Sequence, residues 1–149
     1  MREIVFRGKR CDNDEWVQGY YIRADHHWHK HGIHKDWIVC GASANGGWFA
    51  LHNKYAVKAE TVGQFTGLTD KNGKKIFEGD IVRVLGNQQV DDWKNVDYVA
   101  LIAFLDGGFC AIDGTVEEHG FRRYALARMD FSLEIIGNQF DNHELLENP

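Results

Sequence analysis

The sequence predicts an all-β protein, and three observations carry that prediction. Short runs rich in Val, Ile, Thr and aromatic residues recur along the 149 residues, each bounded by Gly, Asn or Asp. Sixteen Gly stand against a single Pro, the balance of many short strands joined by glycine turns. Five Trp, five Tyr and nine Phe supply the large rings that such strands bury.

The elements follow in order. Ile4 to Arg7 and Trp16 to Ile22 read as strands flanking the polar turn Cys11 to Glu15, a hairpin with a longer loop. In the second, Trp16, Gln18 and Tyr20 alternate with Val17, Gly19 and Tyr21, so both faces carry bulk. His26 to His34 is a polar and aromatic loop with five His in nine positions. Asp36 to Cys40 resumes a β pattern, Ser43 to Gly47 reads as a turn, and Trp48 to Leu51 as another strand. Together these make residues 1–58 an irregular β-rich N-terminal lobe, with a boundary near Val57 to Glu60 that no Pro or Ser linker marks.

Thr61 to Val84 organises the rest. Thr61 to Leu68 is β-favouring, Lys71-Asn72-Gly73-Lys74 is a strong turn signal, and Ile81 to Leu85 is a second β run behind Glu78-Gly79-Asp80. Gly86 to Asn95 reads as a polar loop. Tyr98 to Leu105 is apolar without alternation, which fits a buried strand or a buried helix. The Asp106-Gly107-Gly108 turn and the run Phe109 to Ile112 decide for a hairpin whose first strand is covered on both faces. Within Glu117 to Met129, Tyr124 to Met129 has helical propensity but is too short to nucleate alone, so a helical turn is expected. Leu133 to Phe140 is a closing strand interrupted at Gly137-Asn138. Asp141 to Glu147 suits a short helix docking by its leucines. The turn spacing and the Asn-Gly and Gly-Asp steps point to an SH3-like small barrel with a short terminal helix over residues 59–149.

Composition limits function. Hydrophobic residues make up 44% and charged residues 26%, the balance of a folded soluble chain. The net charge is −5 and the basic residues are scattered, which disfavours a nucleic-acid partner. Three Cys without paired spacing read as reduced thiols. With no signal peptide and no apolar run near membrane length, the expected location is the cytoplasm, away from any membrane.

Several groups could carry chemistry, and each has a simpler reading. His27, His29 and His31 would share a face of an extended loop, with His26 and His34 nearby, and three imidazoles plus a water make a catalytic-type zinc site; a His-rich surface loop that binds metal only adventitiously is the simpler reading. Glu78 and Asp80 could hold a divalent cation, but an Asp after Gly at a strand start more often accepts backbone N–H groups. Cys110 with His119 is the one sequence-near nucleophile pair, and Cys110 sits in an apolar run that suits a small core residue. Trp48, Phe49, Trp93 and Tyr98 could stack bases, though no basic groove accompanies them. Gly46-Gly47 and Gly107-Gly108 are turn glycines and cradle no phosphate.

Three blocks carry a family resemblance: REIVFRGK (Arg2 to Lys9) with Trp16 and Gly19 behind it, TVGQFTGLTDKNGKKIFEGDIV (Thr61 to Val82), and EIIGNQFDNHELLE (Glu134 to Glu147). Together they resemble the YopX family of phage and prophage proteins. Ala59 stands where the family usually has Pro, and His26 to His52 and Gly86 to Arg128 match poorly. The resemblance implies an all-β chain with an irregular N-terminal part, an SH3-like C-terminal barrel and self-association, and it brings no activity, cofactor or catalytic residue. Gly63, Asn72, Gly73, Gly79 and Asp80 are then structural marks of the family stretch.

The expected function is a non-enzymatic, phage-derived protein-binding or assembly module. Its partner would be itself, as a homo-oligomer, or a host or phage protein. The alternatives are a metal-dependent hydrolase or nuclease using the histidine loop, and a single-stranded nucleic-acid-binding module.

Overall fold

The computed structural model describes residues 3–24, 36–45, 48–86, 97–113, 123–126 and 132–147. Among the described residues it is built of antiparallel strands with one short α-helix, the all-β class the sequence predicts. The chain divides into two compact units, Met1–Phe65 and Thr66–Pro149, and the division falls inside a strand.

The first unit holds β1 (Phe6–Lys9), β2 (Trp16–Arg23), β3 (Asp36–Asn45), β4 (Trp48–Ala56) and the start of β5 (Gly63–Thr69). They lie in the order β4-β3-β2-β1-β5. The expected first hairpin is present, with Lys9 opposite Trp16 and Phe6 opposite Gly19. Its first strand runs two residues further than the sequence suggested, because Lys9 still bonds its neighbours: its N–H donates to Thr61 Oγ1 at 2.9 Å.

Beyond β1 the chain turns back on β4. Arg10 bridges Val57, the Cys11 N–H donates to the Ala56 carbonyl at 2.9 Å, and the Lys58 N–H donates to the Lys9 carbonyl at 2.9 Å. The far strand thus meets the first one again, and the unit closes on itself at this end. Gly8 permits the closure, since a Cβ there would lie 3.1 Å from the buried Val57 side chain.

Two expectations for this unit need correction. Ser43 to Asn45 is not a turn but the end of β3, paired as Ser43↔Ala50 through Asn45↔Trp48; the ladder to β4 holds small polar residues extended whatever their turn propensity. Thr61 to Leu68 does not begin as strand either. Ala59–Thr61 is a 3-10 turn, fixed by Thr61, whose N–H and hydroxyl both donate to the Lys58 carbonyl.

The second unit continues with the rest of β5, β6 (Lys75–Phe77), β7 (Asp80–Leu85), β8 (Asp97–Leu105), β9 (Gly108–Asp113), β10 (Arg123–Ala125), β11 (Ser132–Asn138) and α1 (Glu144–Glu147). Its five-stranded sheet runs β10-β9-β8-β7-β11. Val82, Val84, Ala100, Ile102 and Ala111 form the core of its covered face, joined by Ile76. Among the described residues no ladder joins β10 to β11, so the expected SH3-like closure is not among the observed pairings.

Tyr98 to Leu105 is a strand, as expected, but not one covered on both faces. Ala100 and Ile102 are buried, whereas Val99, Leu101 and Ala103 on the opposite face are only half-buried, because one face alone meets the core; the end of the strand, Phe104 and Leu105, is exposed. The turn into β9 is two residues long, Leu105 pairing with Gly108. Asp106 and Gly107 both take positive φ, 51° and 82°, the geometry that matches the twist of a hairpin and favours Asp-Gly.

Of the helical turn expected within Tyr124 to Met129, Tyr124 and Ala125 instead form part of β10, opposite Ala111 and Cys110; Leu126 does enter a 3-10 turn, and Ala127 to Met129 lie outside the described residues. Ladder bonds to β9 and burial of Leu126 outweigh a local preference of a few tenths of a kcal/mol per residue. The irregularity in β11 lies earlier than expected: Ile135 faces Val82 and Gly137 faces Ile81, so Ile136 is the bulged residue while Gly137 and Asn138 stay paired. The terminal helix is a single turn with both leucines half-buried.

Candidate functional site

The closure between β1 and β4 builds a cleft of about 360 Å³ lined by Arg10, Cys11, Asp12, Lys54, Tyr55 and Ala56. The Arg10 guanidinium lies 4.5 Å over the Tyr55 ring. It donates from Nε to Asp12 Oδ1 at 2.9 Å and from Nη2 to Asp12 Oδ2 at 2.5 Å, with Glu15 at 3.5 Å. The hydrogen bond from Arg10 holds the Asp12 carboxyl below its ordinary range. Lys58 pairs with Asp14 at 2.5 Å, and that bond raises its own pKa. Nearby, the Arg7 guanidinium lies 4.7 Å over Trp16 and the Lys9 ammonium 5.6 Å from the same ring.

Such paired charges are poor acids and bases. Burial raises the Cys11 thiol, the Lys58 charge opposing it only in part, so it is held as the weakly nucleophilic thiol. The cleft therefore presents a pinned ion-pair surface around an aromatic ring rather than an activated nucleophile.

Among the described residues, those singled out from sequence are not brought together into one site. His27, His29 and His31, with His26 and His34, lie outside the described residues, as do His119 and Trp93. The backbones of Trp48 and Phe49 start β4, and Tyr98 packs against the core of the second unit. Gly63 is buried in β5 opposite Arg7. The Asn72 N–H donates to a carboxylate of the preceding residue pair, and Gly73 takes φ 80° in the turn.

Gly79 takes φ 83°, and a Cβ there would meet Gln139 Nε2 at 3.0 Å and Phe140 at 3.3 Å. The Asp80 carboxylate is 1% exposed and accepts the Phe77 N–H at 2.7 Å. It serves the strand start, which is the simpler reading of Glu78-Gly79-Asp80. Among the described residues no group of three His, Cys, Asp or Glu is placed to hold a metal.

Sequence reasoning passed over Asp70. It is 6% exposed, and its carboxylate takes backbone N–H groups from Asn72 and Lys74, both at 2.9 Å, and from Ile135 at 3.3 Å. An Asp two residues before Asn-Gly is the signal that could have found it, since such a side chain caps its own turn.

A profile of the family described as YopX protein matches residues 5–147. The chain belongs to the YopX family. No curated protein matches this YopX chain. Among solved structures, its fold is similar to the crystal structure of protein EF1440 from Enterococcus faecalis, with a TM-score of 0.55 and 22% identity over 98% of this chain and 99% of that one. At that identity the likeness speaks to fold alone.

Among the described residues of the YopX chain, no helix is long and apolar enough to cross a membrane. Its cysteines differ in access: Cys40 is exposed, Cys11 half-buried and Cys110 buried, the last donating weakly to the Ala103 carbonyl at 3.6 Å. Alkylation of the native protein, followed by peptide mass spectrometry, is expected to modify Cys40 first and Cys110 last, the two differing roughly tenfold or more in rate. Equal rates would show that β9 opens far more readily than its burial implies.

Proposed function

We propose that this YopX-family chain is a non-enzymatic protein-binding or assembly module of phage or prophage type, whose partner is a second copy of itself or a host or phage protein. The observation that carries the reading is the outer edge of β4. This nine-residue strand ends the sheet order, and among the described residues no strand pairs with its outer side before Ala56, where Cys11 bonds it; backbone donors and acceptors at such an edge are a template for another strand. The tip of the β8–β9 hairpin adds an apolar contact in the second unit: Phe104 is 49% and Leu105 40% exposed, with Phe104 edge-on to Phe109 at 5.1 Å. The hydrolase alternative rests on His27, His29 and His31, outside the described residues, and the net charge of −5 gives the nucleic-acid alternative no support.

Light scattering of the purified chain tests the reading together with retention of proteins from host lysate. A defined oligomer, or one reproducibly retained protein, is the expected result. A strictly monomeric chain that retains nothing would overturn it.

A further inference from the structure

We propose that the segment Trp48–His52 of β4 is a self-pairing edge, to which a second copy of this chain adds its own β4 antiparallel, two-fold about Ala50. The inference deepens the assembly reading above and rests on it.

The Val57 N–H donates to the Asp36 carbonyl on the β3 side, whereas the Ala56 carbonyl accepts from Cys11 on the outer side. The register from Trp37↔Ala56 to Asn45↔Trp48 has no shift. Alternation along it turns the N–H and C=O groups of Lys54, His52, Ala50 and Trp48 outward. At Ala56 that outer side is already taken by Cys11. Asn53, with φ 49°, breaks the extended run between there and His52. What remains among the described residues is one straight open segment, Trp48–His52, ending at the Asn53 kink.

Its composition points to the occupant. Trp-Phe-Ala-Leu-His contains no Asp, Glu, Lys, Arg or Pro, the residues with which natural proteins blunt an open edge. A charged peptide would find no counter-charge there. An identical segment brings none to repel, and this matters for two copies of a chain of net charge −5. Because even-numbered residues face out, the two-fold pairing sets Ala50 opposite Ala50 and Trp48 opposite His52 as hydrogen-bonded pairs. The small Ala50 sits on the two-fold itself, where the two strands are hydrogen-bonded at a Cα separation of about 5.5 Å.

The test compares the full chain with Ala50→Pro by light scattering and far-UV circular dichroism. The Ala50 N–H points away from β3, so proline there removes an outer donor and leaves the β3–β4 bonds in place. The wild type is expected to be a dimer or an even multiple, and the variant to have half its mass with an unchanged β signal. A second measurement covers the case in which Ala50→Pro does not fold. In a Cys40→Ser background, Ala50→Cys is expected to form an intermolecular disulfide under mild oxidation, since the pair separation lies in the disulfide range; Asn72→Cys, in an exposed turn, is not. An oligomer that keeps its mass in Ala50→Pro and does not cross-link at position 50 overturns the edge while leaving the assembly reading intact. A monomeric wild type overturns self-pairing, even where the edge captures another protein, and the broader reading then depends on that capture.

Discussion

Gly19→Ala is expected to unfold the first unit, at a cost above roughly 4 kcal/mol. A Cβ at Gly19 would stand 2.3 Å from the Val39 carbonyl oxygen, 2.8 Å from its carbon and 3.1 Å from Ile38 Cγ2. The obstacle is backbone, so no rotamer change relieves it. Relief requires β2 and β3 to part, and with them the pairs Tyr20↔Val39 and Tyr21↔Ile38 and the contact of the Cys40 thiol with the Gln18 carbonyl at 3.2 Å. Tyr21 also loses its setting, in which its hydroxyl donates to buried Asp36 at 2.5 Å. Gly41→Ala is the control on the neighbouring strand: its Cβ would find only His52 atoms at 3.9 Å, an ordinary contact, and the change is expected to stay within about 0.5 kcal/mol. Urea unfolding followed by tryptophan fluorescence separates the two, because Trp16, Trp37 and Trp48 all belong to the first unit. A Gly19→Ala protein with the wild-type midpoint would mean that β2 and β3 lie further apart than described.

What was legible in the sequence was what local chemistry dictates. Asp106-Gly107 specifies its turn because both residues tolerate positive φ, and the β propensity of Ile81 to Leu85 agrees with the burial of that strand. Long-range pairing was not legible. Ser43 to Asn45 has turn propensity and becomes strand because β4 lies beside it, and Tyr124-Ala125 has helical propensity and becomes strand because β9 does. The return of Arg10 and Cys11 to Val57 and Ala56 joins residues more than forty positions apart, and no local pattern encodes it. The same holds for the candidate site. Arg10 and Tyr55 read singly as surface residues, and only the closure brings guanidinium and ring together. The open edge of β4 likewise follows from the sheet order, although its lack of charge is visible in the residues themselves.

Asp70→Ala is expected to cost the second unit about 3 kcal/mol, because one side chain serves both a turn and a distant strand. Oδ1 closes the loop around Asn72-Gly73 by accepting from Asn72 and Lys74, and Oδ2 reaches Ile135 in β11. Beside it the Lys71 N–H donates to the Leu133 carbonyl at 2.8 Å, and Lys71 pairs with Glu134 at 2.7 Å. Bonds to a charged acceptor contribute about 1.5–3 kcal/mol each, and alanine leaves the Ile135 donor without its acceptor. Burial alone would raise the Asp70 pKa, but the backbone donors from Lys74, Asn72 and Ile135 outweigh it and the net shift is downward. A carboxyl depressed on folding stabilises fully above its unfolded pKa of about 4, and the contribution is lost as pH falls through the lower folded value. Asp70→Asn keeps the shape and one acceptor but cannot titrate. The gap in urea midpoint between wild type and Asp70→Asn should therefore be widest near neutral pH and close progressively below about pH 4. A gap that stays constant down to pH 2 would show that Asp70 acts through shape alone and that its charge is not what ties the turn to β11.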